Sequence, residues 1–312
     1  MRLLASLTVL VGLAMPALAA GPEVESMRVE TKDKFILKGE FWKPRKKGRA
    51  PAALLVHDTT KDRSEYAAVA ENLHKRGFAV LSVDLRGHGE SPLPETEFGL
   101  DDLVDDLERL RDRLGLERMH LAGHSLGGMI GPRYALRFPD RVSSLGLYST
   151  AAGRTEDDSA KVWAVVEAME QNGIEKVLGT LTNRWFTDDF IDRNPDIVER
   201  RLKQVMATDP DIFMNVFRIY ASTEMMPWLH EVTQPALIIT GELDGGCNPR
   251  LNRLIDDAMP NSELIVLEGL KHSILVEAAN FPSAMLHHGR AERDLAVSVL
   301  VELLHDGVQF AL

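Results

Sequence analysis

Hydrophobic positions along this chain change their spacing in a regular way. Two short runs, Val24 to Thr31 and Phe35 to Trp42, roughly alternate apolar and polar side chains, with Lys32-Asp33-Lys34 between them. A period of two predicts a pair of strands joined by a turn. Ala52 to Val56 is apolar at every position, and Phe78 to Val83 nearly so, as expected of strands covered on both faces. Arg63 to Lys75 instead carries Tyr66, Val69 and Leu73 at helical spacing and is stopped by Gly77. Leu100 to Leu114 is an acidic helix with Leu103, Leu107 and Leu110 on one face. A strand is expected from Arg118 onward and a helix over Met129 to Phe138; Val142 to Leu147, Ala236 to Thr240 and Leu264 to Leu267 read as further strands. Strand alternating with helix predicts the α/β class, with a mostly parallel central sheet and helices on both faces.

This rhythm is interrupted once. Residues from about 150 to 230 have helical period, are rich in Met, Trp and charge, and hold no clear strand-like run. Roughly eighty residues is too many for one crossover. Residues 150–232 are therefore expected to form a helical lid inserted between two parts of one core, 24–149 and 233–312. Trp163, Met169, Trp185, Phe186, Phe213 and Trp228 are candidates for a pocket wall or for the core of the lid itself.

The N-terminus follows another pattern. Met1-Arg2 is followed by a largely apolar run from Leu3 to Ala14, then Pro16 and Ala17-Leu18-Ala19. One positive charge, a short apolar core and an A-x-A site predict a signal peptide over residues 1–19 and an exported protein, periplasmic or secreted. That core is too short to span a bilayer, and no later stretch is apolar enough, so no stable membrane insertion is expected. About 290 residues would remain, which suits one large α/β domain with an insertion. The net charge of −11 becomes −12 without Arg2, the leader's only charge, a poor match to nucleic acid or anionic membrane surfaces. Cys247 is the sole cysteine, which excludes an internal disulfide. With no C-x-x-C or H-E-x-x-H spacing, neither a metal nor another cofactor is indicated.

Chemistry concentrates at Gly123-His124-Ser125-Leu126-Gly127-Gly128. A strand leads in and a helix leads out, so the chain must bend sharply at Ser125. The strained residue at such a bend needs small neighbours, which Gly123 and Gly127 supply. The bend would lift the serine hydroxyl clear of the backbone and aim the N–H groups of the next helix, Leu126 first, at developing negative charge. A serine hydroxyl needs a base, and the base an orienting acid. Gly241-Glu242-Leu243-Asp244 follows one expected strand, and Glu268-Gly269-Leu270-Lys271-His272 follows the next. Ser125, Asp244 and His272 thus leave the same edge of the sheet, where binding and catalytic groups collect in open α/β folds. Leu126, with Thr59 or Asp58 from the turn after the Ala52 to Val56 strand, is the candidate pair of oxyanion donors. Arg184 in the lid is a candidate to hold a substrate carboxylate, with Trp185 beside it. His88, His124, Asp84 and Arg86 are read as structural.

These motifs resemble the α/β-hydrolase superfamily over residues from about 24 to 305: the His57-Asp58 turn, Asp84-Leu85-Arg86-Gly87-His88-Gly89-Glu90-Ser91, the Ser125 bend, and the Asp244 and His272 turns. Trp163, Gly173, Arg184-Trp185-Phe186 and Ala207-Thr208-Asp209-Pro210 resemble the lid of 3-oxoadipate enol-lactonases. The resemblance implies Ser125 as nucleophile, His272 as general base, Asp244 as its orienting acid, and a small-molecule ester or lactone as substrate. Carboxylesterase or lysophospholipase-like activity, C–C bond or haloperoxidase chemistry, and a receptor that retains the three residues are alternatives. The chain departs from its relatives at Asp58, where His-Gly is usual, and at Lys271, where a small residue is usual before the histidine.

Overall fold

The computed structural model describes residues 24–44, 50–59 and 61–277. The expected signal peptide and the end of the second core segment lie outside the described residues. Among the described residues, eight strands form one sheet: β1 (Val24–Glu30), β2 (Ile36–Trp42), β3 (Ala52–Val56), β4 (Ala79–Asp84), β5 (Met119–His124), β6 (Val142–Tyr148), β7 (Ala236–Gly241) and β8 (Ser262–Leu267). Their order is β1-β2-β4-β3-β5-β6-β7-β8. The β1–β2 and β2–β4 pairs are antiparallel; from β4 to β8 every pair is parallel. The sheet is thus mostly parallel, as the pattern predicts.

Its central strands are apolar on both sides because each side has its own core. Alternation sends Ala52, Leu54 and Val56 of β3 into one cluster and Ala53 and Leu55 into the other. Helices α2 (Leu100–Arg113) and α3 (Leu126–Arg137) cover the first face through Leu103, Leu107, Leu110, Met129 and Ile130. Helix α1 (Ala67–Lys75) covers the second through Val69, Ala70 and Leu73.

Between β6 and β7 the chain forms only helices: α4 (Glu156–Asn172), α5 (Ile174–Trp185), α6 (Asp188–Arg193), α7 (Pro195–Ala207), α8 (Pro210–Ser222) and the single turn α9 (Met226–Leu229). They have a separate apolar core that includes Val166, Met169, Leu181, Phe186, Val205 and Phe213. Trp185 belongs to it, whereas Trp163 is 38% exposed and stands outside it.

The turns after β7 and β8 interlock at the sheet edge where the parallel strands end. Leu243 N–H donates to the Leu270 carbonyl at 2.8 Å, Glu242 N–H to Leu267 at 2.9 Å, and Gly269 N–H to the Glu242 carboxylate at 2.9 Å. Gly241 is the point of closest approach, since a Cβ there would overlap the Leu270 and Lys271 carbonyls. Gly241→Ala is expected to push the two turns apart and destabilise the fold by about 1–3 kcal/mol. A shift of the urea midpoint with an unchanged slope would measure it.

Candidate active site

Ser125 stands between the last residue of β5 and the first of α3, with φ 54° and ψ −108°. A non-glycine residue at positive φ stores on the order of 1–3 kcal/mol of strain, which the surroundings must hold in place. Here they do so by close packing. A Cβ on Gly123 would overlap the Gly127 backbone, one on Gly127 would overlap the Val56 carbonyl, and one on Gly128 would come within 2.7 Å of Thr150. The Ser125 N–H donates to the Tyr148 carbonyl at 2.8 Å, which fixes the bend to the neighbouring strand. Leu126 begins α3, so its N–H lies in a first turn that has no intrahelical acceptor.

Asp244 and His272 meet directly, with His272 Nδ1 2.7 Å from Asp244 Oδ2. The other carboxylate oxygen accepts the N–H groups of Gly246 (2.9 Å) and Cys247 (2.8 Å). Burial opposes a charge on His272, but the Asp244 carboxylate outweighs it and raises the imidazole to about 9. Burial likewise opposes ionisation of Asp244, and His272 with the two amides holds it below its usual value. The His272 side chain keeps 13% exposure, against 1% for Asp244, so the imidazole is the member of the pair that reaches the open side. His272 also packs against the bend: His124, the residue before Ser125, places Nε2 2.9 Å from the His272 carbonyl, with ring centroids 5.0 Å apart.

The turn after β3 differs from its expected use. The Asp58 N–H donates to Glu65 Oε2 at 3.0 Å and is not open to an incoming oxyanion, which removes Asp58 from the donor pair. The second glutamate oxygen sits against Lys61. Thr59 is buried beside Asp58, and its carbonyl lies 3.0 Å from His88 Nε2. His57 also braces this turn, accepting the Leu85 N–H at 3.0 Å.

The Asp58 side chain joins a buried charge cluster that the sequence reading missed. Lys61 Nζ lies 3.4 Å from it, His124 Nδ1 3.5 Å, and Arg201 Nη2 3.3 and 3.4 Å from its two oxygens. His124 Nδ1 is also 3.2 Å from Glu65. Burial works against ionisation of Asp58, yet Lys61, Arg201 and His124 hold it well below the usual carboxylate range. Burial opposes protonation of His124 too, and Glu65 and Asp58 prevail, raising it to about 9. Arg201 arrives from α7 in the buried stripe Val198, Arg201, Val205. An arginine at apolar helical spacing was the available signal.

Among the described residues, two side-chain groups have metal-ligating character: Asp244, Cys247 and His272, and Asp58, Glu65 and His124. The second already encloses the Lys61 ammonium, and in the first Asp244 is taken up by His272 and two amides. Neither donor set presents free carboxylates to a cation.

Arg184 is not brought to this group. Its side chain is exposed and lines an open groove between α4 and α5 with Lys161 and Lys176. Trp185 is brought there: its carbonyl accepts the Ser273 N–H at 2.9 Å, and Arg201 stacks 5.0 Å over its ring. Lys271 fastens the same loop to the insertion by donating to the Asn183 carbonyl at 2.8 Å. Asp84 and Arg86 serve the loops, as expected. Asp84 accepts the N–H groups of Arg63 (2.8 Å) and Glu90 (2.9 Å), and Arg86 makes a two-pronged pair with Asp106 at 2.6 and 2.7 Å.

Comparison with known proteins places the fold. A family profile described as alpha/beta hydrolase fold matches residues 54–279. The chain is similar to 3-oxoadipate enol-lactonase 2 of Acinetobacter baylyi, 29% identical over 192 residues, 61% of this chain and 71% of that protein. It is similar to proline iminopeptidase of Lactobacillus delbrueckii subsp. bulgaricus, 28% identical over 262 residues, 73% of this chain and 85% of that protein. Among solved structures, the enol-lactonase from Burkholderia xenovorans LB400 superposes with a TM-score of 0.74 at 24% identity, over 89% of this chain and 99% of that one.

The raised His272 value has a sign that can be measured. The pair's contribution to stability is fully present below pH 6.5, the ordinary imidazole value, and is lost as pH rises through about 9. Asp244→Asn is expected to abolish that fall in stability between pH 6.5 and 9, read by urea unfolding across pH, and to lower the His272 titration followed by NMR.

Proposed function

We propose that this chain, which belongs to the alpha/beta hydrolase fold family, opens a carboxylic ester or lactone through an acyl-enzyme on Ser125. One observation carries the reading: Ser125 is held at positive φ on the tip of β5, where the hydrogen-bonded His272–Asp244 pair packs against the preceding residue. In this reading His272 takes the Ser125 proton as the hydroxyl attacks the carbonyl carbon, and Asp244 steadies the imidazolium. The tetrahedral oxyanion accepts the N–H groups of Leu126 and Thr59. Losing one such donor costs about 3–4 kcal/mol of transition-state stabilisation. Collapse expels the alkoxide, which takes its proton from His272. Water, deprotonated by the same imidazole, then frees the acid and restores Ser125. In a lactone the alcohol stays tethered to the product.

Similarity to enol-lactonases favours a small substrate with a carboxylate of its own. Similarity to proline iminopeptidases raises amide cleavage beside a free amine. Such a substrate needs an acid for its ammonium, and the acids of the oxyanion turn, Asp58 and Glu65, are already matched with Lys61, Arg201 and His124. Helices α4 to α9 act as a lid over the site in this reading, and export rests on the leader pattern alone.

A fluorophosphonate probe is expected to add one phosphonyl group to the wild-type protein and none to Ser125→Ala, read by intact mass. An unlabelled wild type would instead favour a receptor. A panel of p-nitrophenyl esters, γ-lactones and enol-lactones then separates lactonase from general esterase. Because His272 accepts a proton only when neutral, kcat/KM is expected to rise about tenfold per pH unit and to level near pH 9. A flat profile between pH 6 and 9 would put the His272 titration below that range instead of near 9.

A further inference from the structure

His124 is the last residue of β5, so its side chain leaves the strand one position before Ser125. It is fully buried, and its two ring nitrogens face different parts of the molecule. Nε2 lies 2.9 Å from the His272 carbonyl. Nδ1 lies 3.2 Å from a Glu65 oxygen and 3.5 Å from an Asp58 oxygen. Carbonyl and carboxylate oxygens only accept, so Nε2 carries a proton toward His272 and Nδ1 one toward the acids. A half-turn of the ring about χ2 would replace both nitrogens by carbons, so the two contacts fix its orientation together.

The contact with His272 spans a gap that the sheet leaves open. Strand β8, which delivers His272, is separated from β5 by β6 and β7, about 14 Å at the usual strand spacing. The loop after β8 is tied to the β7 turn where the Leu243 N–H donates to the Leu270 carbonyl. On either side of His272 it is tied to the insertion, through Lys271 to the Asn183 carbonyl and through the Ser273 N–H to the Trp185 carbonyl. His124 ties the residue itself to the strand that carries Ser125. The His272 carbonyl accepts Nε2 alongside the local Ile274 N–H at 2.9 Å, one donor for each lone pair. The tilted rings, with centroids 5.0 Å apart, add a second contact.

We propose that His124 is a positioning residue of the reaction: braced by Glu65 and Asp58 on one ring edge, it holds the His272 carbonyl with the other and so sets the distance between the base and Ser125. The proposal rests on the hydrolase reading above and adds a residue to it. His124 touches no reacting atom and acts through His272. Asp58 and Glu65 thereby serve the site although neither reaches the substrate in this account.

The test compares full-length wild type with His124→Gln and His124→Asn. Glutamine places its amide near the position of Nε2, and asparagine near that of Nδ1. Two rates are read, kcat for p-nitrophenyl butyrate and the rate at which a fluorophosphonate labels Ser125, with KM and the urea midpoint measured alongside. His124→Asn keeps a donor for the acids but none for His272, and should lower both rates by on the order of a hundredfold, the scale of a misplaced reacting group, with KM little changed. His124→Gln keeps a donor for the His272 carbonyl and should return both rates to within about tenfold of wild type, a loss of no more than about 1.4 kcal/mol. It loses the contact with the acids, so its urea midpoint should fall at least as far as that of His124→Asn. The less stable variant would then be the more active one, which a purely structural histidine does not produce. Equal rates in the two variants, or wild-type rates in His124→Asn, overturn the proposal. A measurement on wild type covers variants that do not fold: in 15N-histidine NMR at neutral pH, His124 Nε2 is expected to carry its proton, and an unprotonated Nε2 overturns the proposal. Wild type that turns over and takes the label while His124→Asn matches it refutes this inference alone. Wild type that does neither refutes the hydrolase reading, and this inference with it.

Discussion

The structure depends on a close approach that only glycine permits. Strand β5 runs into α3 with one residue between them, and that residue is forced to positive φ. The strain is tolerable because α3 nests directly against β3 and β5: Gly127 faces the Val56 carbonyl and Gly123 faces Gly127, each with no room for a methyl group. The same contact fixes three things at once. It raises the Ser125 side chain from the strand end, starts a helix at Leu126, and brings that helix N-terminus beside the turn that follows β3. The position of the Ser125 hydroxyl and that of the α3 N-terminus are therefore consequences of one packing constraint.

Around this bend, the parallel strands deliver the other groups by the rule that they all end on one edge. The turns after β7 and β8 are bound to each other by backbone hydrogen bonds around Gly241, so Asp244 and His272 are positioned as a unit. The helical insertion then grips that unit. Lys271 reaches Asn183, Ser273 reaches Trp185, and Glu277 accepts the Thr187 N–H at 2.7 Å. Both departures from the family pattern, Asp58 and Lys271, lie where the insertion touches the core. Each makes its contact with the insertion: Asp58 with Arg201, Lys271 with Asn183. The surroundings of Ser125 and the helical insertion are thus in direct contact.

Much of this was legible in the sequence because it is written in short-range pattern. Fully apolar runs gave β3 and β4, helical spacing gave α1 and α2, and the glycines around Ser125 announced the bend. Boundaries were less legible where local chemistry is ambiguous. The helical apolar run starts only at Met129 although α3 already includes Leu126-Gly127-Gly128, and Ser262-Glu263 is polar although β8 begins there. The charge cluster was hidden for another reason. Asp58 and Arg201 are far apart in the chain, and an acid in the oxyanion turn looks repulsive until its buried cations are known. Arg184 and Arg201 differ by helix face. Arg201 stands in register with Val198 and Val205, whereas Arg184 neighbours the buried stripe of Val177, Leu181 and Trp185 without belonging to it. Asp58 likewise looked like an amide donor until Glu65, seven residues on, was found to occupy its N–H.

The central claim is that one hydroxyl, one imidazole and two amides converge on a single reacting carbon. A crystal structure of the protein inactivated by a tetrahedral phosphonate tests it most directly. The account predicts phosphorus bonded to Ser125 Oγ, the phosphoryl oxygen within hydrogen-bond distance of the Leu126 and Thr59 amides, and His272 Nε2 facing the leaving-group side. Phosphorus on any other side chain, or a phosphoryl oxygen turned away from both amides, would contradict it.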